Sequence, residues 1–438
     1  MSEKKKQPHL LIIAIPFPTT RLVGSAIRVS KFIKYLPRNN WKISGLTSYW
    51  FEEDENIQMT DIHKIMRVPN PLEWLRSKNI KKRLSGGSVT SATLPGSGKF
   101  QQTLRKIASA IVVPDQYSFW VLASLRKSSK FAKKHNIEIV FSSSPYASCH
   151  LIGLWIKQAT RLPWIADFRD MWVQNPLNPP KWGLSALIEK SLQKRVIEKA
   201  DLITVTTDAI AEDLTARYPK AVDKITVLPN GFDVDDFSNL PESQPINPLI
   251  LSHLGAFYFS RSPEVVLEVL DKIAVDTADL DTKIRLRFVG HSDARQKWWL
   301  KEWNYLPKNI VSIEPHVSHR NAIEIMASSH VLLLIPGADY AIPGKLYEYI
   351  ASRRPVLALA RPNTDSALLI SRGNFGKVIH PEDKEELLTT FRFLCGLPTF
   401  EQINDFFNFE PNVAMLKQFQ RDILADQLSD LLLSKIEL

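Results

Sequence analysis

Two cysteines in 438 residues, Cys149 and Cys395, stand too far apart in sequence and too deep in apolar or helical patterns to suggest a disulfide framework. A reducing, cytoplasmic setting is the expectation. No run approaches the roughly 18 consecutive apolar residues that a bilayer-spanning helix needs. The opening Met-Ser-Glu-Lys-Lys-Lys precedes a short apolar run, Leu10 to Ile15, that breaks at Pro16-Phe17-Pro18 without a small-residue cleavage site. That pattern reads as a buried first strand rather than a secretory leader. Zinc-finger cysteine spacing and an aromatic RNP-type segment are both missing, so nucleic acid is not expected as a partner. His316 and His319, three apart with no third ligand nearby, do not predict a metal site.

What is present is length, apolar content and positive charge. A chain of this size exceeds one ordinary domain of roughly 100 to 200 residues, which predicts two cores. The formal net charge of +10 favours an anionic partner, such as a phosphorylated substrate or an acidic membrane surface.

Short apolar runs alternate with helical patterns along most of the chain, the signature of parallel sheets covered by helices. Strands are predicted at Leu10 to Ile15, Trp41 to Thr47, Ile137 to Phe141, Trp164 to Phe168, Leu202 to Thr206 and Lys224 to Leu228. The helix after the first strand shows in Val29, Phe32, Ile33 and Leu36, spaced as one helical stripe. Residues 1–238 form the first predicted domain, with a basic and mobile insertion at about 69–130. Residues 239–248, rich in proline and polar side chains, form a linker. Residues 249–410 repeat the α/β rhythm as a second Rossmann-like domain, and 411–438 form a C-terminal helix that packs back on the first.

Ligands of open α/β sheets bind at the carboxyl ends of strands, so the loops there are the first place to look. The strongest signal is Ile342-Pro343-Gly344-Lys345-Leu346-Tyr347-Glu348. Pro343 and Gly344 open a helix whose first N–H groups can face an anion, Lys345 adds a cation for phosphate, and Glu348 lies one turn on, where a carboxylate can accept from a sugar diol. The same residues also suit an ordinary solvated helix face. In the first half, Asp167-Phe168-Arg169-Asp170 closes a strand with two carboxylates and an arginine; this is either a structural ion-pair cluster or a polar substrate-facing group.

The segment around Lys345 and Glu348 resembles the donor-binding signature of glycosyltransferase family 4, enzymes of the GT-B fold. The resemblance implies an α/β architecture of two facing Rossmann-like domains. It implies a nucleotide-sugar-dependent glycosyltransferase that retains anomeric configuration and needs no metal or other cofactor beyond the nucleoside-diphosphate sugar. Relatives often carry two glutamates eight positions apart; Glu348 matches the second, whereas Tyr340 occupies the first, with Asp339 beside it. Gly255 to Pro263 resembles the glycine loop that opens the donor domain, with Arg261 matching the residue that grips the diphosphate. By the same likeness Gly24 lies beside the donor phosphate and His316 and Val317 border the base. Gly255, Gly344 and Leu346 complete the donor side. Asp167, Arg169 and Asp170 form the acceptor side, with Asp167, Asp170, Arg261 and Lys345 as the catalytic candidates.

Basic residues alternate with apolar ones between Leu75 and Ile107, which suits an anionic bilayer surface. The expected setting is bacterial cell-surface polysaccharide or glycolipid assembly, with a lipid-linked or oligosaccharide acceptor at the cytoplasmic face of the inner membrane. Tyr340 keeps a second reading open, a non-catalytic GT-B scaffold that binds a nucleotide or a partner enzyme.

Overall fold

The computed structural model describes residues 7–15, 17, 24–48, 62–71, 112–173, 175, 181–238, 240, 245–257, 261–290, 303–337 and 339–436. The basic residues expected to touch a membrane between 75 and 107 lie outside this set. The chain forms two units, residues 1–229 with 425–438, and residues 230–424. Residues 230–238 therefore pack with the second unit. Phe232 explains this: its N–H donates to Phe419 O, its carbonyl accepts from Arg421 N, and its ring sits in the second unit's core.

The first unit holds a seven-stranded parallel sheet in the order β3-β2-β1-β4-β5-β6-β7. Its strands are β1 (His9–Ile13), β2 (Lys42–Ser48), β3 (Lys64–Val68), β4 (Ile139–Ser143), β5 (Trp164–Phe168), β6 (Leu202–Val205) and β7 (Ile225–Val227). The central strands β1, β4 and β5 are buried along their whole length, as parallel strands covered on both faces must be. The helices are α1 (Gly24–Tyr35), α2 (Ser118–Lys134), α3 (Ser148–Thr160), α4 (Gly183–Lys199) and α5 (Asp208–Arg217). The expected insertion up to residue 130 thus includes most of a regular helix, α2. It buries Trp120, Val121, Ser124, Ser128 and Ala132 at helical spacing, and its small serines hide that stripe from a hydrophobicity count.

The second unit holds a six-stranded parallel sheet in the order β10-β9-β8-β11-β12-β13. These strands are β8 (Leu249–Leu254), β9 (Ile284–Val289), β10 (Val311–Glu314), β11 (Val331–Leu334), β12 (Val356–Leu359) and β13 (Gly376–Ile379). Numbered within the unit, the order is 3-2-1-4-5-6, the Rossmann arrangement, and the strand order reverses between β8 and β11. The helices are α6 (Glu264–Asp276), α7 (Leu280–Lys283), α8 (His319–Ser328), α9 (Gly344–Ala351), α10 (Asp365–Arg372), α11 (Lys384–Cys395), α12 (Phe400–Phe406) and α13 (Val413–Lys417), followed by α14 (Arg421–Ile436).

The expected single C-terminal helix is two, α13 and α14, because residues 418–420 leave the helix to reach the Phe232 strand bridge. From Ala425 onward α14 belongs to the first unit. Trp41 Nε1 donates to Ser429 Oγ at 2.8 Å and Asn39 Nδ2 to Asp426 Oδ1 at 2.7 Å, tying the helix to the turn before β2. Cys149 and Cys395 are both buried free thiols. Among the described residues, no helix is long and apolar enough to cross a membrane.

Candidate functional site

In the second unit the residues singled out by sequence gather at the carboxyl end of the sheet, where β8 and β11 part. Gly255 follows β8 and Gly290 follows β9, both at positive φ, +125° and +145°. The backbones cross so closely that a Cβ on Gly290 would lie 2.7 Å from the carbonyl carbon and oxygen of Gly255. Only glycine accommodates that conformation and that approach together. The crossing sets the loop beside Lys345: a Cβ on Gly255 would stand 3.1 Å from its Nζ.

Lys345 is in the first turn of α9. Its Nζ donates to Leu254 O at 2.9 Å and lies 3.1 Å from His253 Nε2. His253, on β8, is fully buried and stacks on Phe257, with centroids 4.3 Å apart and planes 13° apart. Its Nδ1 is 3.0 Å from Leu333 O, and a carbonyl can only accept, so Nδ1 carries the proton. Nε2 is then a lone pair that accepts from the lysine. Burial, reinforced by Lys345, holds the His253 pKa well below its ordinary value, which keeps the ring neutral.

Burial also lowers the Lys345 pKa well below the usual lysine range, with the positive charge of Arg261 as the second cause. Arg261 approaches from the loop before α6, where a Cβ on Gly337 would lie 2.3 Å from its Nε. Two cations brought together at a sheet's switch point, beside the exposed Gly344 that opens α9, are what a polyanion would stabilise.

One helical turn beyond Lys345, Glu348 Oε1 receives a hydrogen bond from His319 Nε2 at 2.9 Å. His319 Nδ1 lies 3.9 Å from Asp236. His316 is exposed just after β10, and Val317 packs against the core under α9. Leu346 does not present itself to a ligand: its side chain is fully buried, and its N–H is spent on Pro343 O at 2.9 Å. Asp339 pairs with Arg361 on the surface. Among the described residues, no group of three or more His, Cys, Asp or Glu is placed to hold a metal ion.

The acceptor-side residues of the first unit separate into two environments. Asp167 is fully buried, and its carboxylate accepts from Arg28 Nε at 3.1 Å, Arg28 Nη2 at 3.0 Å, Ser143 Oγ at 2.7 Å and Thr204 Oγ1 at 2.7 Å. Against the desolvation of the buried carboxyl, the Arg28 charge and these hydrogen bonds hold its pKa below the ordinary value. Four donors saturate the carboxylate, so Asp167 is the counter-ion of Arg28 rather than a group that faces an acceptor. Arg28 also donates to Leu228 O and Pro229 O, at 2.8 and 2.7 Å, and so fixes the last turn of the unit. Arg169 and Asp170 lie outward of this pair and bond each other at 3.2 Å. The Arg169 Nη1 atom is buried without a hydrogen-bond partner. Gly24 opens α1.

The role of His253, the pairing of His319 with Glu348 and the partnership of Arg28 with Asp167 are not readable from the sequence. Each joins residues that are distant along the chain: 92 positions for His253 and Lys345, 29 for His319 and Glu348, and 139 for Arg28 and Asp167.

Residues 24–236 match the family model described as Glycosyltransferase Family 4. That part of the chain belongs to glycosyltransferase family 4. Solved structures similar to this glycosyltransferase include sucrose-phosphate synthase from Thermosynechococcus elongatus, with a TM-score of 0.66 and 14% identity over 97% of this chain and 98% of that one. The Anabaena protein HepE in complex with UDP-glucose gives 0.60 and 13% over 97% and 99%. WaaG, a glycosyltransferase involved in lipopolysaccharide biosynthesis, gives 0.57 and 15% over 97% and 99%. At these identities the likeness establishes the fold, GT-B, with its two Rossmann-like domains. A search of curated protein sequences finds no match to the glycosyltransferase.

Proposed function

We propose that this glycosyltransferase moves a sugar from a nucleoside diphosphate to an acceptor hydroxyl, with its donor held by the second unit. The observation that carries this reading is the ammonium of Lys345, oriented by two buried acceptors at the switch point of a Rossmann sheet, with Glu348 one turn away. Lys345 and Arg261 would take the departing diphosphate, stabilising the charge that develops as the glycosidic bond breaks. Glu348 would accept from the ribose hydroxyls, and His316 with Val317 would border the base. The bound UDP-glucose of HepE supports a nucleotide sugar as the donor class.

Retention at the anomeric carbon follows from the family resemblance. Asp167, the buried carboxylate at that strand end among the described residues, is saturated by four donors, which speaks against its use in a double displacement. Front-face departure and attack on the same side of the sugar is the mechanism assigned. Arg169 and Asp170 are the acceptor-side pair, with Asp167 and Arg28 positioning the strand end beneath them. The role of WaaG in lipopolysaccharide biosynthesis supports an acceptor in bacterial cell-surface polysaccharide or glycolipid assembly; a lipid-linked acceptor met at the membrane face is the form of it proposed for this chain.

The test is turnover of a panel of nucleotide sugars by the wild type, Lys345→Ala and Glu348→Ala. Loss of one electrostatic donor to a developing anion costs roughly 100- to 1000-fold in kcat, so Lys345→Ala should fall by that order. Normal turnover in both variants would remove the site.

A further inference from the structure

Six large apolar side chains of the first unit stand in solvent at the beginnings of two helices. Phe119 is 43% and Leu122 68% exposed on α2; Trp182, Leu184, Leu187 and Ile188 are 73%, 72%, 65% and 43% exposed at the start of α4. The two helix starts are near each other. Lys181, one residue before Trp182, donates to the carbonyl oxygens of Val112 and Pro114 in the turn that leads into α2, and α3 packs against both helices. Large apolar side chains exposed together, rather than scattered singly, are the mark of an interaction site.

The same stripes change character further along each helix. On α2, Phe119 and Leu122 are followed at helical spacing by Arg126, Lys130 and Lys133, all exposed or half-buried, and the helix contains no acidic residue. On α4, the stripe of Leu184, Leu187 and Ile188 leads to Arg195 and Lys199, with Lys190 and Lys194 beside it. Its one exposed acid, Glu198, is paired with Lys194 at 3.8 Å. Each helix therefore presents an apolar leading end backed by cations.

We propose that the exposed starts of α2 and α4 dock on an anionic lipid bilayer, with Phe119, Leu122, Trp182, Leu184 and Leu187 entering the headgroup and acyl boundary. The cations behind them then lie at the level of the lipid phosphates. Apolar area supplies the insertion and each cation adds about 1 kcal/mol of attraction to an anionic surface. Bulky aliphatic side chains at the leading end suit hydrocarbon and offer nothing to a phosphate backbone, which separates this surface from a nucleic-acid groove. The proposal gives the lipid-linked acceptor reading a location, and rests on that reading only for its biological sense.

The test is flotation of the full chain with vesicles of phosphatidylcholine alone and of phosphatidylcholine mixed with phosphatidylglycerol. The wild type should float with the anionic vesicles and not with the neutral ones. Leu184→Ser with Leu187→Ser should reduce flotation at least about tenfold, since each lost isobutyl group removes more than two methylene equivalents of transfer. Arg126→Gln with Lys130→Gln should weaken it by a comparable factor and flatten its salt dependence. Both pairs are exposed, so circular dichroism and donor turnover with a soluble acceptor should match the wild type.

Flotation of the leucine variant equal to the wild type would overturn the proposal. So would binding to neutral and anionic vesicles alike, or sedimentation of the wild type as a dimer that the leucine substitutions dissociate, which would assign the surface to a second copy of the chain. Loss of donor turnover in the wild type would instead bear on the proposed reaction and leave the vesicle result standing.

Discussion

His253 Nε2 accepts a hydrogen bond from Lys345 Nζ across 3.1 Å, and the opposite nitrogen of the same buried ring donates to Leu333 O at 3.0 Å. The second bond decides the first, because it forces the tautomer that leaves Nε2 as an acceptor. A lysine that loses water's hydrogen bonds on burial is thereby kept oriented.

Replacing His253 separates orientation from packing. His253→Leu fills similar space but removes the acceptor, and a hydrogen bond to a charged group is worth about 1.5–3 kcal/mol, so kcat/KM should fall roughly 10- to 100-fold. His253→Gln can accept through its side-chain oxygen and should recover most of that loss. Steady-state kinetics of the two variants with unchanged thermal unfolding would check this; equal activity in both would show that the ring only fills the core.

The Arg28–Asp167 pair predicts a stability effect in the first unit. Removing one partner strands a buried charge, so Arg28→Met and Asp167→Ala should each destabilise by about 3–5 kcal/mol in denaturant unfolding. The folded-state pKa of Asp167 lies below its ordinary value of 3.8. Its contribution is therefore complete above that value and is lost as pH falls from there through the depressed folded pKa. The wild type should lose stability in that acid window, and the variants should lose less.

His150 predicts a second, higher window. It is fully buried, stacked on Phe168 at 4.6 Å, and bonded through Nδ1 to Ser142 Oγ at 2.9 Å, while its Nε2 has no hydrogen-bond partner. Burial lowers its pKa from 6.5 to about 4. Between those values the unfolded chain binds the proton and the folded chain does not, so stability is full above pH 6.5 and declines toward pH 4. The shift corresponds to about 3 kcal/mol. His150→Phe should flatten that part of the pH–stability curve, read by urea unfolding at a series of pH values.

Much of the fold is legible along the chain because parallel strands buried on both faces read as continuous apolar runs; His9–Ile13 and Val331–Leu334 fall where the runs do. The edge strand Lys64–Val68 does not, since it is only partly buried and carries lysine and arginine within five residues. Lys345 and Glu348 were legible as a local spacing after a strand. His253 was not, because a histidine inside Leu-Ile-Leu-Ser-His-Leu looks like core until the lysine it orients is placed beside it. Asp167 shows the converse: a carboxylate at a strand end has the local look of a substrate-facing group, and only the fold reveals Arg28, Ser143 and Thr204 closing around it.

The central claim is that the second unit holds the donor's diphosphate through Lys345, and calorimetric titration with UDP, GDP and ADP tests it most directly. One of these nucleotides should bind the wild type, and Lys345→Ala should weaken that binding at least about tenfold, the cost of one charge-assisted hydrogen bond. Equal affinity in wild type and variant, or no binding of any of the three to the wild type, would contradict the account.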